Sequence, residues 1–119
     1  MQYQRHPEKL KKRWEFHRAY QKGSKYWNRN FVIYVLRTGF NSTRLGITVS
    51  KKVGKSVQRN RVKRLIRESF RTLHSSIQAE YDVVVVGRAP ACFLTCQEAQ
   101  KGLHSLFHKA AILKKETHL

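Results

Sequence analysis

The chain has 119 residues, enough for one domain with a modest core and below the size at which cores usually divide. Its 25 Lys and Arg against 7 Asp and Glu give a net charge of +18. In a compact domain that is costly self-repulsion unless a polyanion neutralises it, so a phosphate-rich partner is expected.

No stretch approaches the roughly 20 apolar residues that span a bilayer. Met1 to His6 leads into a charged segment, not the apolar core of a signal peptide. A cytoplasmic protein with no membrane partner is expected. Cys92 and Cys96 have no second cysteine pair nearby, so they assemble neither a disulfide framework nor a zinc ribbon and read as reduced packing residues.

In chain order, Pro7 to Lys22 reads as a helix. Proline suits a first turn, Lys, Arg and Glu fill the interior, and Gly23 follows as a C-terminal cap. Phe16, Ala19 and Tyr20 share one face of it. A short extra strand is expected near Lys25 to Asn28. Two β-rich runs follow, Phe31 to Leu36 and Arg44 to Ser50, separated by the turn-forming Thr38 to Thr43 and expected to pair antiparallel. In the second, Leu45, Ile47 and Val49 alternate with Arg44, Gly46, Thr48 and Ser50, so one face is buried and the other meets water or a ligand.

A long helix is predicted from near Ser56 to about Leu73, then a buried strand over Tyr81 to Val86, which makes the helix a crossover connection. Thr95-Cys96-Gln97-Glu98 has the pattern of a capping box. It opens a last helix with Ala99, Leu103, Leu106, Phe107, Ala110 and Leu113 at helical spacing. The order α, β, β, α, β, α, with one possible extra strand, defines an α+β sandwich with a mixed sheet.

Charge is unevenly spread. Met1 to Arg71 holds 20 basic and 3 acidic residues, whereas Thr72 to Leu119 holds 5 and 4. Within the basic part, Lys51 to Arg71 has nine cations and one acid, Glu68. On a wheel of about 100° per residue, Val62, Leu65, Ile66, Phe70 and Leu73 fall on one side, with Asn60, Lys63, Arg64, Arg67 and Arg71 opposite. A charge run is usually a solvated face of mixed sign. Here Arg59 with Lys63, Lys63 with Arg67, and Arg67 with Arg71 are like charges at i and i+4, each costing an isolated helix about 0.2 to 0.5 kcal/mol. A polyphosphate would relieve that repulsion, and the guanidinium forks match phosphate oxygens in pairs. Asn60 is neutral within the arc and can both donate and accept, which suits a specific contact. Lys51-Lys52-Val53-Gly54-Lys55-Ser56 brings lysines and backbone amides to a helix start, an anion site that lacks the P-loop spacing.

The run Arg44 to Arg71, with Arg59-Asn60-Arg61, then Lys63-Arg64 and Arg67, closely resembles the signature of bacterial ribonuclease P protein subunits. The likeness extends to Phe16, Tyr20, Tyr34, the Val-rich strand, Arg88 and Pro90, and covers nearly the whole chain. It implies an unusual left-handed crossover in the strand, helix, strand unit, opposite to the general rule. It implies that Arg59, Asn60, Arg61, Lys63, Arg64 and Arg67 lie near the catalytic RNA; the charge pattern adds Arg71 of the same arc and Lys51, Lys52 and Lys55 of the preceding loop as RNA-binding candidates. Phe16, Tyr20 and Tyr34 match the aromatics of a cleft that holds the single-stranded 5′ leader of precursor tRNA. The alternative is that Phe16 and Tyr20 are core anchors of the first helix, and Phe16 reads almost as well that way.

By the same resemblance the RNA subunit, with bound Mg2+, performs hydrolysis, and this chain binds RNA and leader without a catalytic residue or metal site of its own. A monomer is expected outside the holoenzyme. The residues agree with that division. Glu8, Glu15 and Glu68 are the acids of the basic part, with ion pairing the plain explanation for two of them. His104 and His108 at i and i+4 lack a matched carboxylate motif, and His17 reads as a helix-face residue. A small ribosomal protein would share charge, size and architecture and is the alternative; a membrane-surface protein would not need the apolar stripe for a core. Trp14 and Trp27 match no role in the family.

Overall fold

Residues 8–114 are described by a computed structural model. They form β1 (Glu8–Lys9), α1 (Arg13–Lys22), β2 (Ser24–Trp27), β3 (Phe31–Arg37), β4 (Arg44–Val49), α2 (Ser56–Leu73), β5 (Tyr81–Gly87) and α3 (Cys96–Lys109). Short 3-10 turns lie at Lys51–Val53, His74–Ser76 and Ala89–Phe93. The architecture is the expected α+β one, with the short extra strand present as β2.

β5 organises the sheet. Its valines point to both faces, so it must be covered on both, and Val83, Val84 and Val85 are fully buried. The strand order is β1-β4-β5-β3-β2. β3 pairs antiparallel with β5 from Phe31↔Gly87 to Arg37↔Tyr81, and β4 pairs parallel with β5 from Arg44↔Asp82 to Val49↔Gly87. The expected antiparallel pairing of Phe31 to Leu36 with Arg44 to Ser50 is therefore wrong. The two strands do run in opposite directions, but the more apolar β5 takes the place between them, and the segment Thr38 to Thr43 crosses its end. The predicted crossover through α2 joins parallel neighbours β4 and β5.

On one face, Phe31, Ile33, Leu45, Val83 and Val85 pack against Val62, Leu65, Ile66 and Phe70 of α2 and Leu103, Leu106 and Phe107 of α3. The apolar side of the α2 wheel is the buried side. Close approach is possible because β5 ends in glycine: a Cβ at Gly87 would lie 2.4 Å from Val62 Cγ1. The opposite face carries α1, where Leu10, Ala19 and Val84 form a smaller cluster with Phe16, Tyr34 and Val86 against it.

Three boundaries differ from expectation. The first helix begins at Arg13, because Glu8 and Lys9 extend as β1 against Arg44 and Leu45; Pro7 lies outside the described residues. Gly23 follows α1 in an extended conformation (φ −77°), not a left-handed cap. It is needed for space, since a Cβ there would lie 2.5 Å from the Ala19 carbonyl oxygen and 3.1 Å from that of Val35. α3 opens as expected, with the Thr95 hydroxyl accepting from Glu98 N–H and the Glu98 carboxylate accepting from Thr95 N–H, but it stops at Lys109. Leu113 lies beyond it and forms a β-bridge with Ile77.

Candidate nucleic-acid interface

α1 is held down by charge as well as by packing. The Glu15 carboxylate accepts from the backbone N–H groups of Lys12 (2.9 Å) and Lys11 (3.1 Å), closing the first turn. Its other oxygen accepts from Arg44 Nη1 at 2.6 Å. Arg44 turns its remaining edge on Asp82, donating through Nε and Nη2 at 2.8 Å each. Arg18 of α1 reaches the same carboxylate at 3.3 Å. The Lys12 N–H, helped by that of Lys11 and by Arg44 against the opposing effect of burial, holds the Glu15 carboxyl below the usual carboxylate range. Hydrogen bonding to Asp82 raises the Arg44 pKa. Arg44, within the signature run, is thus a clamp between α1, β4 and β5. Glu15 carries the ion pair expected of it.

This clamp fixes the aromatics. Phe16 lies on Gly46, where a Cβ would stand 2.6 Å from its ring, so the second face of β4 is covered there by α1. Tyr20, on the same side of α1, is hydrogen-bonded through its hydroxyl to Thr48 Oγ1 at 2.8 Å. The edge of its ring meets Tyr34 of β3, with centroids 4.8 Å apart and planes at 74°. The structure brings Phe16, Tyr20 and Tyr34 together, and Lys25 Nζ stands 5.9 Å from the Tyr34 ring. Phe16 packs into the small cluster while lining surface hollows.

β1 covers only the first two residues of β4, so among the described residues no strand borders that edge beyond Leu45. Here the aromatic side of the molecule meets the basic helix. Three adjoining hollows share Phe16: one with Trp14, His17 and Tyr20, one with Tyr20, Thr48 and Lys63, and one with Ile47, Arg67 and Arg71. They make a trough from α1 over the open edge of β4 to one flank of α2. Arg13 lines two of the hollows, and neither it nor Thr48 and Lys25 had been singled out by residue type alone.

The basic arc faces outward. Asn60, Arg64, Arg67 and Arg71 are exposed, and Lys63 and Arg59 are half-buried. Among the described residues the arc's one ion pair is Arg71 with Glu68, at 3.9 Å between exposed groups, a contact of little strength. Asn60 and Arg64 border a separate, fourth hollow of about 930 Å³ between α2 and α3, lined also by Cys96 and Gln100. Arg61 is differently employed: Nε and Nη2 each donate at 2.9 Å, to the carbonyl oxygens of Cys92 and Leu94. Arg59 Nη2 donates to Ser56 Oγ at 3.2 Å. In the loop before α2, Lys51, Lys52 and Lys55 are exposed. α2 starts without a side-chain cap or an acid in its first turn, so its leading N–H groups add positive potential beside those lysines.

His17, His104 and His108 are exposed. Among the described residues no three His, Cys, Asp or Glu side chains come together as metal ligands, and no helix is long and apolar enough to cross a membrane.

Comparison with known proteins decides the family. The model of the family Ribonuclease P matches residues 5–111. The chain belongs to the ribonuclease P protein component family. Its relative from Bacillus pumilus is 43% identical over 109 residues, covering 91% of this chain and 92% of that protein. The relative from Caldanaerobacter subterraneus is 51% identical over 94 residues, covering 76% and 81%. The Staphylococcus aureus RNase P protein superimposes with a TM-score of 0.81 at 39% identity, over 89% of this chain and 97% of that one. The Thermotoga maritima RNase P protein gives 0.78 at 30% identity, over 86% and 96%. The ribonuclease P protein component serves an endoribonuclease of tRNA processing, and the ribosomal alternative is set aside.

Proposed function

We propose that the chain binds the catalytic RNA of ribonuclease P through the outward arc of α2 and the 5′ leader of precursor tRNA in the trough lined by Phe16 and Tyr20, with Tyr34 beside Tyr20, promoting removal of the leader. The observation that carries this reading is the continuity of the two surfaces. The trough begins on aromatic rings and ends at Lys63, Arg67 and Arg71. Unpaired nucleotides are held without strong sequence preference by aromatic platforms in a positive groove, and a row of cations on one helix face suits a folded RNA backbone. Lys51, Lys52 and Lys55 extend the phosphate contacts towards the start of α2.

Hydrolysis belongs, in this proposal, to the RNA subunit and the Mg2+ it holds. This chain contributes affinity and orientation as a monomeric subunit. The acids beside the trough support that division: Glu15 and Asp82 are spent on Arg44, Arg18 and backbone amides, and Glu68, which lines the basic end, is a single carboxylate facing Arg71. Reconstitution tests it. The chain alone should leave precursor tRNA intact, and the chain with ribonuclease P RNA should cleave it at low magnesium. Cleavage by the chain alone, abolished by His104→Ala, would refute the proposal.

A further inference from the structure

Trp27 is one of the largest exposed apolar side chains of the molecule, at 60% exposure. Strand register gives its position. Trp27 pairs with Val32, Val32 with Val86, and Val86 with Thr48, so these four residues form one row across four strands. Paired residues point to the same face. The row lies on the α1 side, because Val86 packs with the cluster of Leu10, Ala19 and Val84. The adjacent row on that face is Lys25, Tyr34, Val84 and Gly46.

The row therefore starts at Thr48, under the Tyr20 hydroxyl, runs over Val86 and Val32 alongside Tyr34, and ends on the Trp27 indole. Lys25 Nζ stands 5.9 Å from the Trp27 centroid and 5.9 Å from the Tyr34 centroid. One cation thus sits between two rings, an arrangement that would set a phosphate between two stacked bases. The Thr48 end adjoins Lys63 of the basic helix, whereas Trp27 is on β2, the opposite edge strand. Three interstrand steps of about 4.8 Å separate them, about 14 Å in all. That is room for about four nucleotides at the rise of a stacked strand, about 3.4 Å each.

We infer that Trp27, with Lys25, is a second base-stacking subsite for single-stranded RNA, taking a leader nucleotide about four positions beyond the one that enters at Thr48. The inference rests on the leader reading above and adds to it a length threshold. Long leaders reach the indole, and short ones end over Val86 and Val32.

The test uses holoenzyme reconstituted from ribonuclease P RNA and wild-type, Trp27→Ala, Trp27→Phe or Tyr34→Ala protein, with precursor tRNAs of graded leader length. Trp27→Ala should weaken binding about tenfold, the loss of one stacked base, for long leaders alone. Tyr34→Ala should weaken binding at shorter lengths too, and Trp27→Phe should bind nearly as wild type. Equal affinity of Trp27→Ala and wild type at every length would overturn the subsite, as would an equal loss with mature tRNA. If Tyr34→Ala also showed no dependence on leader length, the leader reading itself would fall. A Tyr34 effect without a Trp27 effect would remove the subsite alone.

Discussion

Arg44 holds Asp82 by two parallel hydrogen bonds of 2.8 Å across the β4 to β5 pairing, with the carboxylate fully buried. Removing one partner of a buried pair costs about 3 to 5 kcal/mol, here offset in part by Arg18, which stays 3.3 Å from Asp82. Arg44→Met is expected to lose stability on that scale in urea unfolding. Arg44→Met with Asp82→Leu should recover a large part of it, which a double-mutant cycle would read.

Acid should loosen the first helix. The Glu15 pKa is lowered in the folded state, so its contribution is present above the unfolded carboxyl pKa and is lost as pH falls through the lower folded value. The melting temperature should decline below about pH 4.5, near the ordinary glutamate value. Glu15→Gln should flatten that decline while lowering stability at neutral pH. An unchanged acid slope in the variant would refute the assignment.

Arg61 and Arg64 are close in sequence and should fail differently. Arg61→Ala leaves the carbonyls of Cys92 and Leu94 without their donor, which should lower stability by about 1 kcal/mol in denaturant titration. Arg64→Ala should leave the unfolding midpoint unchanged. It should weaken association with the RNA subunit and reduce the salt slope of binding by about one.

Gly46→Ala should injure the cleft from beneath. The new methyl would stand 2.6 Å from the Phe16 ring, and overpacking of this kind costs about 1 to 3 kcal/mol. With Phe16 displaced, affinity for precursor tRNA should fall towards that for mature tRNA, measured by competition binding.

Local patterns were legible in the sequence and long-range ones were not. The bounds of α2 and its buried side follow from 3.6-residue periodicity over 18 residues, and the Thr95 to Glu98 box marks the start of α3 within one turn. The family signature brought Phe16, Tyr20 and Tyr34 into one reading before any geometry did. Strand order escaped because the turn between β3 and β4 looks like a hairpin, and only competition with the more apolar β5 decides against it. β1 escaped because two residues carry no period. The partners of Arg44 and Arg61 escaped because they are distant in sequence. Trp27 acquires a place only when three strand pairings are read together.

The middle strand is also the last strand to be made. Both of its neighbours, β3 and β4, precede it in the chain, and neither pairs with the other. A nascent chain ending before Tyr81 therefore holds two ribbons without a common seam, while nearly all of its positive charge has already been synthesised. Closure of the sheet, and with it the presentation of α2 on a firm backing, waits for the seven residues Tyr81 to Gly87.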